Sequence, residues 1–474
     1  MSQISSTPLR SLFRPRDVSP YAVLVVMCAG YFLVLLDVTI VNVALPSIAS
    51  GLGASVSGLQ WVVDGYALAL ASLMLAGGTV GDLHGHKRVV LCGLVVFGVA
   101  SLACAVAPDV AVLVSARVFQ GVGAALLLPG TLAIITHAFG EGREQAKAIG
   151  IWAGIGSLAL PAGPLLGGAL IAGFGWRAIF LINVPIVVLA VVAAAILVKE
   201  STDRQGRSLD VVGVVLGVLA LAAITFAFIG AGHSGARSAE VIGAAVAAVV
   251  LLVGFVVVER ARGDDAMLPL ALFRRPVFTV ANVAAATMNL CTLGMLFVLT
   301  LYLQTVQGRS ALVAGLFIVP LFAPLAILAP LAGRLTSRIG PRLPAGAGLV
   351  IAAAGLGLLA LAQPRSTYAL LLPAFLLWGI GLGILTPAVV SAAISTVPSE
   401  RAGLASAINN TSRQAGGAIG IAVAGAIAGQ PDAPGFLAGF HVTAIGAAAL
   451  YLMVAVLALV FIPGGLRRSS ASTP

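Results

Sequence analysis

Apolar residues dominate this chain in long runs, broken only by short joints that are polar or rich in glycine and proline. Fourteen runs, at about 21–45, 59–81, 89–107, 110–136, 148–172, 178–198, 211–231, 239–259, 278–305, 312–333, 344–362, 369–396, 402–428 and 440–462, have the length and apolarity of bilayer-crossing helices. About 20 residues rising ~1.5 Å each are enough to span the hydrocarbon. The pattern predicts an all-α integral membrane protein. Composition agrees: of 474 residues 60% are hydrophobic and 9% charged, with a mean hydropathy of +1.11. A soluble fold would need a far larger polar surface.

The net charge of +10 matters through its distribution. With the N-terminus inside, the inner tails and loops hold 20 Lys and Arg. The outer loops hold four (Arg177, Arg237, Arg309, Arg365), and Arg117 and Arg413 fall within spans. This bias is a topology signal that puts both termini in the cytoplasm, and it argues against a nucleic-acid surface. The expected location is the bacterial cytoplasmic (inner) membrane. The basic tail through Pro20 leads straight into a full-length span, so no cleavable signal peptide is evident. Cys28, Cys92, Cys104 and Cys291 lie in apolar spans without metal spacing and read as small packing residues. His84, His86, His137, His233 and His441 are scattered, and no phosphate loop or nucleophile triad is present. No metal, cofactor or enzyme activity is therefore expected. The segment MLPLALFRRPVF (267–278) alternates apolar and basic residues and is expected to form a helix lying on the cytoplasmic leaflet.

Charges inside the spans carry the functional information, because an acid at a bilayer centre costs about 2.5–3.5 kcal/mol and usually faces a working cavity. Asp37 lies roughly 12 Å from the outer end of the first span, and Arg117 enters the fourth at roughly 10 Å. An unpaired buried Arg is costly, so the two are natural partners. Proximity of Arg favours the ionised acid and burial the neutral one, so alternating exposure can toggle the proton. Asp64 lies about 7 Å inside the outer end of span two, as a candidate substrate contact or a solvated helix end. Arg413, about 16 Å from the inner surface, has no acid among the spans of its own half. It is expected to join a structural polar cluster with Asn409, Asn410 and Gln414.

An internal repeat organises the chain. FQGVGAALLLPG (119–130) aligns without gaps to LWGIGLGILTPA (377–388), placing Gly121 on Gly379, Gly123 on Gly381, Pro129 on Pro387 and Arg143 on Arg401. GTVGDLHG (78–85) matches GRLTSRIG (333–340). The reading is a cytoplasmic tail (1–20), a six-helix half (21–198) and a linker with two extra spans and the amphipathic segment (199–277). A second six-helix half (278–462) and a cytoplasmic tail (463–474) follow. Parallel halves with a site between them are a transporter architecture, in which one half rocks against the other.

Several motifs in order carry a resemblance: LDVTIVNVALP (36–46), GTVGDLHGHKR (78–88), ARVFQGVGAA (116–125), ALPAGPLLGG (159–168), WRAIFLINVPI (176–186), LYLQTVQGRSALVAGLFIVP (301–320) and NNTSRQAGGAIG (409–420). Together they resemble the major facilitator superfamily, and within it the fourteen-helix drug/proton antiporter branch of the EmrB/QacA type. The resemblance implies a major facilitator fold with 14 transmembrane helices, as two pseudo-symmetric six-helix halves plus two inserted helices. It also implies proton coupling through Asp37 and Arg117. Gating is expected from the tight turn with Gly78, Asp82, Gly85, Lys87 and Arg88, from the pivot Gly163, Pro164, Gly167 and Gly168, and from Arg401. Leu83 and His86 depart from the usual basic pattern of that turn, which implies a weaker latch. Candidates for the wall of a substrate cavity are Asp64, Trp61, Tyr66, Met295 and Gln304.

The expected function is export of small amphipathic drugs or antibiotics, cationic ones among them, by alternating access. The proton-motive force would drive it without a cofactor. The expected partners are lipid, drug and protons, in a monomer. A proton-coupled uptake symporter of the same fold is the alternative, which GPLLGG argues against. A sensor or channel is disfavoured by the missing soluble domains and by the two-halved repeat.

Overall fold

A computed structural model describes residues 19–139, 143–200, 210–263, 266, 268–397 and 401–464. Most of both predicted tails, along with Met267 and Glu400, lies outside the described residues. The first set of helices comprises α1 (Pro20–Leu52), α2 (Val56–His84), α3 (His86–Val106), α4 (Val110–Phe139), α5 (Arg143–Phe174), the short α6 (Ala178–Leu181) and α7 (Asn183–Leu197). Next come α8 (Val211–Ser234) and α9 (Ala239–Arg262). The second set comprises α10 (Pro276–Leu301), α11 (Ala311–Ile339), α12 (Arg342–Leu359), α13 (Tyr368–Ile394), α14 (Ala402–Ala428) and α15 (Phe436–Phe461).

Local chemistry sets the helix ends. Pro20 opens α1, where its missing N–H costs nothing. Ser55 and Ser310 cap α2 and α11 by accepting from the amides of Gly58 and Val313. Between α2 and α3 the chain turns on Gly85 alone, at φ +99°, which favours a residue without Cβ.

Thirteen helical stretches among the described residues are long and apolar enough to cross a membrane. The fourteenth expected span, 402–428, is a 27-residue helix in the predicted place, but it is not among those thirteen. Residues 409–414 read Asn-Asn-Thr-Ser-Arg-Gln and make it too polar. Position explains the polarity: α14 packs against α10, α2 and α8 and is screened from lipid by them. By contrast α9 packs on α8 and the turn at Leu270–Arg274, and leaves Val246, Val249, Val250 and Val253 exposed as a lipid face. The expected surface helix at 267–278 is instead a five-residue 3₁₀ turn, Leu270–Arg274, followed directly by α10. Pro269 and Pro276 bracket it and leave no room for a longer helix.

The repeat reappears as matched packing. α1 packs on α5 as α10 does on α14, α2 on α4 as α11 does on α13, and α3 on α4 as α12 does on α13. Gly121 lies against the Tyr66 carbonyl as Gly379 lies against that of Leu321, and both closely. The structure is thus two pseudo-symmetric bundles with α8 and α9 inserted between them in sequence.

The bundles meet at the end remote from the first and last helix ends, here called distal. There the contacts are α2 with α14 and α5 with α11, which the repeat interchanges. Gln60 donates to the carbonyls of Ile421 and Ala422, at 3.3 and 3.0 Å. Gln304 donates to the Val43 carbonyl at 2.8 Å. Gly168 of α5 touches the backbone of Ala311 and Leu312, and Gly315 touches the Pro164 carbonyl. Helical spacing puts Gly150 and Gly154 on the same face of α5 as Gly168. A side chain there would meet nothing within 4 Å. The seam is therefore closed distally and parted towards the termini.

Candidate functional site

At the inner edge of the closed seam five helices bring polar groups into apolar packing. Asp37 on α1 and Arg117 on α4 are each 1% exposed and form a direct ion pair. Arg117 also donates through Nε to the Val62 carbonyl at 3.0 Å, and to Gln120 Oε1 at 2.7 Å. Its guanidinium lies 4.3 Å from the Tyr66 ring centre, a cation–π contact. Gln120, one turn along α4, donates to Asp37 Oδ1 at 3.0 Å and to Ser101 Oγ at 2.9 Å. Ser101 in turn donates to the Phe97 carbonyl at 2.7 Å, and Asn183 reaches Ser101 at 3.4 Å. Both oxygens of Asp37 are thus occupied by buried, hydrogen-bonded partners, the condition under which a buried charge is tolerated.

Gln120, Ser101 and Asn183 were not singled out in the sequence. A Gln one turn beyond an intramembrane Arg is a usable signal, because i and i+3 share a helix face. Ser101 and Asn183 become partners only through tertiary packing.

The network borders a cavity of about 10 Å³, room for about one water. Its wall includes Asn42, Tyr66, Arg117, Leu293 and Gln414, from both bundles. The Oδ1 of Asn42 is buried there without a partner. Of the expected wall residues, Tyr66 lines this space and donates to the Val34 carbonyl at 3.1 Å. Gln304 lies at the seam, bonded to Val43. Trp61 packs instead towards Phe226 of α8, with ring centres 6.3 Å apart. Met295 is fully buried, and Leu293, two positions and about half a helical turn away, faces the cavity. Asp64 is neither solvated nor in the cavity wall: it is fully buried, with no partner for either oxygen.

The polar cluster of α14 extends to α10. Asn409 approaches the Ala281 carbonyl and Asn282 Oδ1, both at 3.4 Å, and Ser412 reaches Asn282 at 3.3 Å. Arg413 donates to Asn410 at 3.3 Å, and Asn410 reaches Met74 Sδ of the other bundle at 3.6 Å. Asn289 donates to Gln414 at 3.5 Å. On the open side Tyr31 stacks on Trp152 at 3.9 Å between ring centres.

In the α2–α3 turn, His86 Nε2 lies 3.2 Å from Asp82, so the residue read as a departure supplies a partner. Glu200, beyond the end of α7, was not foreseen: it accepts from the Lys87 amide at 3.0 Å and lies 3.5 Å from Arg88 Nε. Lys87 Nζ donates to the Ala195 carbonyl at 2.7 Å. Gly78 packs near Pro129, Gly163 meets Thr39, Gly167 meets Ile40, and Arg401 stands at the start of α14.

Several known proteins share this chain's sequence or its fold. The chain is 39% identical over 398 residues to the multidrug resistance protein Stp of Mycobacterium tuberculosis, covering 84% of this chain and 74% of that one. It is 34% identical over 427 residues to a tetracenomycin C resistance and export protein of Streptomyces glaucescens, covering 90% and 78%. A methylenomycin A resistance protein of Bacillus subtilis is 33% identical over 450 residues, covering 93% and 94%. Among solved structures, a bacterial homologue of the human drug peptide transporters PepT1 and PepT2 superposes with a TM-score of 0.65 at 14% identity, covering 94% and 98%. The nucleoside transporter NupG does so at 0.66 and 11%, covering 93% and 100%. At such identities the structural likeness speaks for the fold. The sequence profile of the Major Facilitator Superfamily matches residues 27–421, and the chain belongs to that superfamily.

Proposed function

We propose that the protein exports small, largely apolar drug molecules across the cytoplasmic membrane in exchange for protons, with the distal seam facing outside. The observation that carries this is the Asp37–Arg117–Gln120 network, buried where the two bundles meet and beside the cavity between them. Three relatives named for antibiotic or multidrug resistance support the class of cargo. When the seam opens, Asp37 exchanges its hydrogen bonds for water and can change its proton. When the seam closes, Arg117 and Gln120 hold whichever form the cycle has left.

Drug enters from the side on which α5 and α11 have parted. Tyr31 stacked on Trp152 gives that side aromatic surface, which suits amphipathic compounds. Of the two cations within the spans, Arg117 is answered by Asp37 and Arg413 by the side chain of Asn410. Inverted membrane vesicles test the reading. An imposed pH gradient, acid inside, should drive accumulation of a fluorescent drug. Loss of accumulated drug on imposing that gradient would instead mean uptake coupled to protons.

A further inference from the structure

Asp64 has no role in the network above, yet it is fully buried and neither carboxylate oxygen has a hydrogen-bond partner. Its neighbours on α2 show which way it faces. Gln60, one turn towards the distal end, reaches the α14 carbonyls of Ile421 and Ala422. Trp61 faces Phe226 of α8. Residues three and four apart share a helix face. Asp64 is therefore turned to the junction of α2, α8 and α14, away from the cavity lined by Val63, Tyr66 and Ala67.

Helix α8 covers that junction. It runs antiparallel to α2, and Ile229 lines the same small distal cavity as Gln60. One turn back along α8, Thr225 comes to the level of Asp64, and it too is fully buried with Oγ1 unpartnered. Further out, Gly232 of α8 packs so closely on α14 that a Cβ would lie 2.7 Å from the Cα of Ala426. The inserted helix thus touches both bundles along the seam.

Among the described residues no base answers the acid. Arg117 of α4 is committed to Asp37, Gln120 and the Val62 carbonyl, and Arg413 of α14 reaches Asn410. Asp37 of α1 is itself paired, Tyr66 bonds Val34, and Cys104 of α3 lies by Gln120. The side chain of His233, near the distal end of α8, lies outside the described residues. An ionised carboxylate with no partner in such packing is too costly to keep, so Asp64 holds its proton while the seam is closed. Once α2 and α14 part distally, water reaches the carboxyl, which ionises at neutral pH as a hydrated carboxylic acid does.

We propose that Asp64 is a proton-operated lock on the distal seam, separate from the Asp37 site. Its carboxylate takes one proton from the distal aqueous phase as α2 and α14 close beneath α8, and returns that proton to the same phase when they part. This rests on the reading of the chain as an alternating-access transporter. It adds nothing to the drug–proton exchange ratio, because the proton enters and leaves on one side. Distal acidity thereby favours the closed seam.

The test is a distance measurement without drug. Spin labels go on Pro108→Cys and Ala433→Cys, exposed positions in distal turns of the two bundles, with the exposed Cys92 replaced by Ser. In nanodiscs, wild-type protein should gain a longer distance as pH rises from about 5 to about 9, the range in which perturbed carboxyls titrate. Asp64→Asn, always uncharged, should keep the short distance throughout, with the open fraction at the alkaline end at least about tenfold lower, the effect of one pKa unit. Asp64→Leu should behave alike and guards against a local fault of the amide. A wild-type profile in Asp64→Asn and Asp64→Leu would overturn the lock. Failure of drug export in vesicles would leave this distance result standing.

Discussion

Gln120 donates to Oδ1 of Asp37 at 3.0 Å while Arg117 engages Oδ2, so the acid of α1 is held from two successive turns on one face of α4. A group held in this way by exchangeable hydrogen bonds can carry a proton only if it is an acid. Asp37→Asn preserves shape and can accept from either partner through its carbonyl. It is expected to express normally and bind drug with near wild-type affinity, yet show no accumulation in vesicles driven by a pH gradient. Full gradient-driven accumulation would remove Asp37 as the carrier.

Arg117 and Asp37 also test each other. Arg117→Ala leaves a buried acid short of its charge partner, a loss of about 3–5 kcal/mol for a buried pair. The expected outcome is a lowered thermal midpoint together with lost efflux. Asp37→Asn combined with Arg117→Met removes both charges and should recover most of the stability without recovering transport. A double variant as unstable as Arg117→Ala would mean that the arginine's bonds to Gln120 and Val62 matter more than the pair.

Gln120→Leu removes the second donor without touching a charge. Efflux is expected to fall by about tenfold in kcat with little change in KM, since a lost hydrogen bond to a charged group is worth about 1.5–3 kcal/mol. A raised KM at unchanged kcat would place Gln120 in drug binding.

The sequence made the long apolar runs, the internal repeat and the Asp37–Arg117 pair legible, because each rests on local composition or on a charge that lipid penalises. Gln120 remained hidden, since a lone polar amide in a helix costs less and marks less. Trp61 and Met295 do not line the small cavity, for a different reason. Depth along a helix can be read from residue count, but the face a residue presents depends on which neighbours surround it. α8 occupies the side of α2 that a twelve-helix arrangement would leave bare, so Trp61 meets Phe226 there and Asp64 is buried beside it. From that placement Asp64→Asn should reduce efflux of cationic and neutral dyes equally. Selective loss of the cations would put its carboxylate in contact with drug.

Gly315 touches the Pro164 carbonyl across the seam, and a Cβ would fall on that backbone. Gly315→Ala should therefore oppose distal closure while leaving each bundle intact. Overpacking of this kind costs about 1–3 kcal/mol, roughly a five- to hundredfold shift towards the parted seam. Labels across the distal end should show the longer distance even in acid. An unchanged distance would mean that α5 and α11 slide to accommodate the methyl group.

Orientation decides which aqueous phase each end of the cycle meets. The basic residues favour the termini side by 20 to four among predicted loops and tails, a bias that bacterial membranes read as cytoplasmic. The structure adds that α5 and α11 are parted on that same side, so in this conformation the cleft opens to the cytoplasm if the termini lie there. A fluorescent protein that matures only in the cytoplasm, fused after Pro474, should therefore be bright. A thiol reagent that does not cross membranes should label the Pro108→Cys variant in intact cells, in a Cys92→Ser background. A dark fusion together with an unlabelled Pro108→Cys variant would invert the protein, and the cleft would then open to the outside in this conformation. A dark fusion together with a labelled Pro108→Cys variant would instead mean an even number of crossings after α3, as when only one of α8 and α9 crosses.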